Sequence, residues 1–213
     1  MTGDVERSYS QRAAEYIEQL GSMSSAHPSD VQLVTTWAEG VDGPVLDAGC
    51  GPGQWTAHLA GRGVVARGVD AVGAFVDHAR ASYPSVPFAI GSIDALTDPA
   101  DSYGGVLAWY SLIHHEPAAL RGALDEFARV LRPGGRLLVG FFVGDEVEAF
   151  DHAVVTAYRW SVDALTAELE EARFDVVETH TRTGGRPGSV PRRGSGSGPR
   201  PHGAILAELR RHP

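Results

Sequence analysis

Lysine and asparagine are absent from all 213 residues, and each of the 18 basic side chains is an arginine. That excludes Schiff-base chemistry, a P-loop lysine and a lysine general base. Cysteine occurs once, at Cys50, so no disulfide framework holds the chain. Long hydrophobic runs are missing too. The longest apolar stretch, 106–113, falls well short of the roughly 20 residues that a membrane helix needs. Met1 to Ser10 is polar and charged, without the apolar segment of a signal peptide. Positive charge is outnumbered, and the net charge of -9 sets the surface against nucleic acid. The expectation is a cytoplasmic protein with neither a nucleic-acid nor a membrane partner.

A hydrophobic content of 43% is enough to fill the core of one α/β domain. The chain is organised around Val45-Leu46-Asp47-Ala48-Gly49-Cys50-Gly51-Pro52-Gly53. An apolar strand ends in an acid, a glycine-rich turn follows, and Gln54 to Ala60 reads as a helix. Such a unit receives a nucleotide-like ligand, because the glycines let the backbone come close and the free N–H groups at the helix start point into the site. The spacing is not that of a dinucleotide site. Gly-x-Gly-x-x-Gly would place its third glycine at position 54, which is Gln54. Asp47 would repel a pyrophosphate and suits a ligand with positive charge, such as an amino acid's ammonium group.

At these residues the chain resembles the class I S-adenosylmethionine-dependent methyltransferases, whose first motif reads Asp-x-Gly-x-Gly-x-Gly. Motifs downstream extend the resemblance over roughly residues 1–180. It implies an α/β fold, a Rossmann-like three-layer sandwich. The sheet would be seven-stranded and mostly parallel with an antiparallel strand seven, under a helical N-terminal lid. A single domain is expected, with 1–42 as the lid, 43–181 as the cofactor-binding core, 182–203 as a loop and 204–213 as the last strand. The implied cofactor is S-adenosyl-L-methionine, with S-adenosyl-L-homocysteine as product.

Taken in order, 4–20 has the pattern of one amphipathic helix. Tyr9 and Tyr16, seven residues apart, come near one face. They either contact the amino-acid end of the cofactor or simply pack the lid onto the domain. A second helix covers 28–39. Strand one is 44–47, and strand two is 64–69 with Asp70 at its tip. In the family an acid there binds the ribose diol, since a carboxylate accepts two charge-assisted hydrogen bonds from adjacent hydroxyls. Gly49, Gly51 and Gly53 would give close backbone approach, and Asp47 would meet the methionine ammonium or shape the loop. Ala71 would flank the adenine. Strand three is 87–90. Relatives carry an acid after the following glycine; here Ser92 stands in that place, and Ser92 and Ile93 are the adenine contacts expected instead. Strand four is 105–110. Trp109 and Tyr110 would wall off the sulfonium, a cation–π attraction on the order of 1 kcal/mol.

His114 and His115 follow. Adjacent side chains diverge, so they make a poor metal pair, and no metal site is expected. One of them is either a general base, His114 ahead of His115, or a structural residue of the loop. Helix 118–131, the turn Arg132-Pro133-Gly134-Gly135 and strand five at 136–142 repeat a family signature with a structural role. His152 and Arg159 lie in an excursion bordering the substrate. Ser161 caps a helix over 162–172. Strand six is 174–181 and strand seven 204–209, with His202 looking into the same cleft. Between them lies an arginine-, glycine- and serine-rich loop carrying Arg182, Arg186, Arg192, Arg193 and Arg200.

The resemblance implies methyl transfer to a small-molecule acceptor by a monomer or homodimer. The acceptor and the atom methylated are not written in the sequence. Two other readings stand beside it: a non-catalytic S-adenosylmethionine-binding sensor or subunit, and a nicotinamide oxidoreductase, which Gln54 disfavours.

Overall fold

The computed structural model describes residues 3–152, 155–183 and 201–211. Arg186, Arg192, Arg193 and Arg200 of the basic loop lie outside the described residues. The chain runs α1 (Gly3–Gln11), α2 (Ala13–Leu20), a short 3₁₀ turn (Met23–Ser25), α3 (Pro28–Glu39), β1 (Val45–Ala48) and α4 (Gln54–Gly61). It continues through β2 (Ala66–Asp70), α5 (Gly73–Ser82), β3 (Phe88–Ile90), β4 (Tyr103–Trp109), α6 (Pro117–Val130) and β5 (Leu131–Val143). The last elements are β6 (Glu148–Phe150), β7 (Ala157–Trp160), α7 (Val162–Glu171), β8 (Phe174–Arg182) and β9 (His202–Leu209).

Side chains alternate across the sheet with a period of two, and both registers are buried. Leu46, Val106 and Leu137 enter one core, whereas Val45, Leu107 and Leu138 enter another. Strands apolar on both faces need helices on both faces. Leu120, Leu124 and Phe127 of α6 and Leu165 and Leu169 of α7 cover the first. Val34, Trp37 and Ala38 of α3 and Trp55 and Leu59 of α4 cover the second. The result is three layers.

The strand order is β3-β2-β1-β4-β5-β7-β6, with β9 on β5 and β8 on β9. β1 to β5 are mutually parallel, and β9 runs antiparallel to β5, from Arg136↔Glu208 to Phe142↔His202. β1 has β2 on one side and β4 on the other, so the chain reverses its order there. A crevice opens at such a reversal, beyond the carboxyl ends of the strands.

Two local expectations are corrected. Among the described residues the sheet has nine strands: the seven anticipated, plus β6 and β7 from the segment read as an excursion. Phe142 pairs with His202 on one edge and Arg159 on the other, so β7 takes up β4's edge of β5 just past the end of β4. The N-terminal segment is two helices rather than one. Arg12 leaves the helical region (φ -114, ψ 14), and its N–H bonds to the Tyr9 carbonyl three residues back. Tyr9 and Tyr16 nonetheless both pack on Phe75 of α5, with ring centroids 5.9 and 5.1 Å away.

Candidate active site

The glycine turn leaves β1 with a left-handed backbone. Gly49 has φ +81, and a Cβ there would lie 2.3 Å from Cβ of Ser111. Its bareness lets the β1 turn pack against the loop after β4. Gly51 has φ +54, and a Cβ on it would meet nothing within 4 Å. That space belongs to a cavity of about 420 Å³, within the range of small-molecule sites. Gly53 serves differently: it precedes α4 and faces Ala79 and Phe88, outside the cavity lining.

Two carboxylates line the cavity near this turn. Asp70 is 7% exposed at the end of β2. Its Oδ2 accepts from the Gly51 N–H and its Oδ1 from the Val72 N–H, each at 2.8 Å. Each oxygen keeps a further lone pair for a ligand. Burial pushes its pKa up, against the pull of those two donors. Asp47 is 2% exposed and accepts from the Thr56 hydroxyl at 2.6 Å. Burial pushes it to about 7. Beside them, the Ser111 Oγ and Gln54 Oε1 atoms are buried in the cavity wall with no partner among the described residues. Buried polar atoms are normally satisfied, so these two fit the polar atoms of a bound ligand.

Much of the cavity wall is aromatic. Tyr110, at the end of β4, has φ +59, strained for a residue with a side chain. Its hydroxyl hydrogen-bonds to His202 Nδ1 at 2.5 Å. Phe142 of β5 lies 5.1 Å from the Tyr110 ring and 5.5 Å from His202. His152 stands 5.3 Å from His114. His114 Nδ1 is 2.8 Å from the Thr156 carbonyl, and its Nε2 is 2.8 Å from the Tyr9 hydroxyl. A carbonyl only accepts, so the proton sits on Nδ1 and Nε2 accepts from Tyr9. Burial pushes the His114 pKa down and the Tyr9 hydroxyl up, so both are neutral. Asp30 and Arg182 close one wall in a two-point ion pair, at 2.8 and 2.6 Å.

The cavity thus brings together Tyr9, Tyr16, Asp47, Gly49, Gly51 and Asp70 with Ala71, Ile93, Trp109, Tyr110, His114, His152 and His202. Four expected site residues stand elsewhere. Ser92 binds its own loop: its Oγ accepts from the Asp94 N–H at 3.2 Å. His115 turns away from His114 into the core, 2.7 Å from Asp94 Oδ1, where burial lowers its pKa. Arg159 reaches Glu148 at 2.8 Å and lies over the Phe150 ring, because the β6–β7 hairpin carries it outward. Gly53 is the fourth. Phe75, Phe142, Gln54, Ser111 and the Asp30–Arg182 pair went unread. Gln54 and Ser111 had a local signal, being the first residue after the glycine turn and the second past β4. The ion pair spans 152 residues and has none.

Among the described residues, no group of three His, Cys, Asp or Glu side chains could hold a metal ion. No helix among them is long and apolar enough to cross a membrane.

Residues 45–135 match the protein family described as a methyltransferase domain. Among curated proteins, the chain is similar to a malonyl-[acyl-carrier protein] O-methyltransferase of Salmonella typhimurium. The two are 34% identical over 124 residues, which make up 58% of this chain and 48% of that one. The chain spans about half the length of the first curated relatives it matches. Among solved structures, a 1,6-didemethyltoxoflavin-N1-methyltransferase of Burkholderia thailandensis, with 1,6-didemethyltoxoflavin and S-adenosylhomocysteine bound, superposes with a TM-score of 0.71. It is 21% identical, over 99% of this chain and 92% of that one. The [4+2]-cyclase SpnF superposes with a TM-score of 0.76 at 18% identity, over 98% and 96% of the two chains. At these identities the structural likenesses establish the fold.

Proposed function

We propose that the chain carries a methyltransferase domain of the class I kind and transfers a methyl group from S-adenosylmethionine to a small-molecule acceptor. The observation that carries the reading is one cavity lined together by the Asp70 carboxylate, the bare Gly51 backbone and His114. The residues fit the cofactor. Asp70 has lone pairs that would hold a ribose diol, Asp47 would meet a methionine ammonium, and Gln54 Oε1 and Ser111 Oγ would take polar atoms of the nucleoside or amino acid. Ala71 and Ile93 would flank the base. Tyr9, Tyr16 and Phe75 cover the site.

When bound, S-adenosylmethionine supplies a methyl group already activated on a sulfonium. The chain's own task is alignment, which by itself lowers barriers by roughly 7–11 kcal/mol. His114 Nε2 takes a proton from an acceptor that must lose one. Trp109 and Tyr110 exclude water at that point. The setting we infer is cytoplasmic, with residues 1–42 as the cover of a single domain, 43–181 as its cofactor-binding core and 182–203 as the loop before the last strand. The chain acts as a monomer or homodimer, and its net charge of -9 favours a small acceptor over nucleic acid.

Calorimetric titration with S-adenosylmethionine and S-adenosylhomocysteine, followed by incubation of labelled donor with a metabolite extract, tests this. Binding with a newly labelled small molecule supports it, and absence of binding refutes it. A cofactor-binding scaffold without transfer is the second reading, favoured by the Tyr9 hydroxyl that fills His114 Nε2. Binding with no labelled product in any extract supports that one.

A further inference from the structure

We propose that the acceptor end of the cavity is built for an uncharged, flat aromatic or heteroaromatic molecule with one hydroxyl or ring N–H, and against carboxylates, phosphates and ammonium groups. The proposal deepens the methyl-transfer reading and rests on it.

Three observations carry it. The first is the wall. Tyr110, Phe142 and His202 form a closed triangle of rings, with centroids 5.1, 5.5 and 5.6 Å apart. Phe142 continues to His152 at 6.0 Å, and His152 to His114 at 5.3 Å. Five rings therefore enclose the space, and their quadrupoles favour edge and offset contacts with another ring over contacts with a saturated chain.

The second observation is charge. Among the described residues, the arginine in the cavity wall is Arg182, and it holds Asp30 through two hydrogen bonds of 2.8 and 2.6 Å. An anionic acceptor would compete with Asp30 for Arg182, and a cationic one with Arg182 for Asp30. Either competition weakens a partly buried pair, whose side chains are 22% and 14% exposed. Asp47 and Asp70 line the cavity from β1 and β2, where the donor is received. Burial keeps the Tyr110 hydroxyl protonated and His114 neutral, so neither adds charge.

The third is the polar handle. His114 donates from Nδ1 to the Thr156 carbonyl and accepts at Nε2 from the Tyr9 hydroxyl. A single O–H or ring N–H on a flat acceptor can replace the Tyr9 hydroxyl at that atom. A carboxylate cannot, because it has no proton to donate.

The test is calorimetry on the full chain saturated with S-adenosylhomocysteine. The probes are 1-naphthol, 1-naphthoate, 1-naphthylmethylammonium and decahydro-1-naphthol. The expected result is that 1-naphthol binds at least tenfold more tightly than each of the others. Phe142→Leu, which keeps the bulk but removes the ring, should weaken 1-naphthol at least fivefold and leave S-adenosylhomocysteine within twofold. His152→Leu, on the other side of the box, is the second variant should Phe142→Leu not fold, with the same expectation. Equal or tighter binding of the carboxylate, the ammonium or the saturated alcohol overturns the proposal. So does 1-naphthol binding that is absent or indifferent to the ring substitutions. If S-adenosylhomocysteine binds and these fail, the acceptor class is wrong and the methyl-transfer reading survives. If S-adenosylhomocysteine itself does not bind, both fall.

Discussion

The Tyr9 hydroxyl lies 2.8 Å from Nε2 of His114, although 105 residues separate them. The N-terminal helices are therefore fastened to His114 as well as to α5. Replacing Tyr9 with phenylalanine removes the hydrogen bond and keeps the ring against Tyr16, Phe75 and His114. The expected loss of stability is about 1 kcal/mol by chemical denaturation. Donor affinity should stay within about twofold, because the ring and its packing are retained.

His114→Ala should lower turnover by about a hundredfold or more, the usual scale of a general base. Donor affinity measured by calorimetry should hold. A variant that turns over at the wild-type rate removes His114 from the proton path.

Asp70 braces the turn it serves, since Gly51 and Val72 both donate to it. Asp70→Ala should abolish donor binding and also lower stability by about 1–3 kcal/mol, as two buried N–H groups lose their acceptor. Asp70→Asn keeps one acceptor oxygen. It should regain part of the stability while leaving affinity at least about tenfold weaker. Unchanged affinity in Asp70→Asn would refute the ribose assignment.

Gly49 and Gly51 separate folding from binding. At Gly49 a Cβ collides with Ser111 at 2.3 Å on a backbone at φ +81, so Gly49→Ala should cost at least about 2 kcal/mol. At Gly51 the Cβ enters open space, so Gly51→Ala should cost about 1 kcal/mol of backbone strain. Its larger effect should be on donor affinity, because the methyl group occupies the cavity. Thermal melts and calorimetry on the two variants should therefore rank them in opposite orders.

Asp47 makes stability depend on pH. Burial raises its carboxyl from 3.8 to about 7, so between those values the folded protein keeps a proton that the unfolded chain has released. This contribution is fully present below pH 3.8 and is lost as pH rises to 7, then stays constant. The total is about 4 kcal/mol, an upper bound for a group with a strong hydrogen-bond partner. Asp47→Asn lacks the proton. The wild-type stability curve should fall relative to the variant's between about pH 4 and 7 and run parallel above. Parallel curves throughout would mean that Asp47 is ionised in the folded state.

The strands and the glycine turn were legible because their signals are local: apolar runs of strand length, glycines at fixed spacing, and acids at strand tips. The extra strands β6 and β7 were not. Glu148–Phe150 and Ala157–Trp160 are short, mixed in polarity, and exist because the free edge of β5 beyond β4 is there to pair with. The break at Arg12 was likewise hidden, since periodicity alone carries through it. Asp47, Asp70 and His114 were read from their positions at or after strand ends, and all three line the cavity. His115 and Ser92 lie outside the cavity lining because Asp94, two residues past Ser92, bonds to both. Arg159 lies outside the lining because β7 turns it toward Glu148. The Tyr9–His114 and Asp30–Arg182 contacts join distant parts of the chain, and only the folded arrangement defines them.

Arg182 and His202 are the terminal matched pair of β8 and β9, and both stand in the cavity wall. A substitution at either position therefore acts on the cavity wall and on the last rung of the hairpin together, so the lining there can be varied by a change that the sheet itself reports.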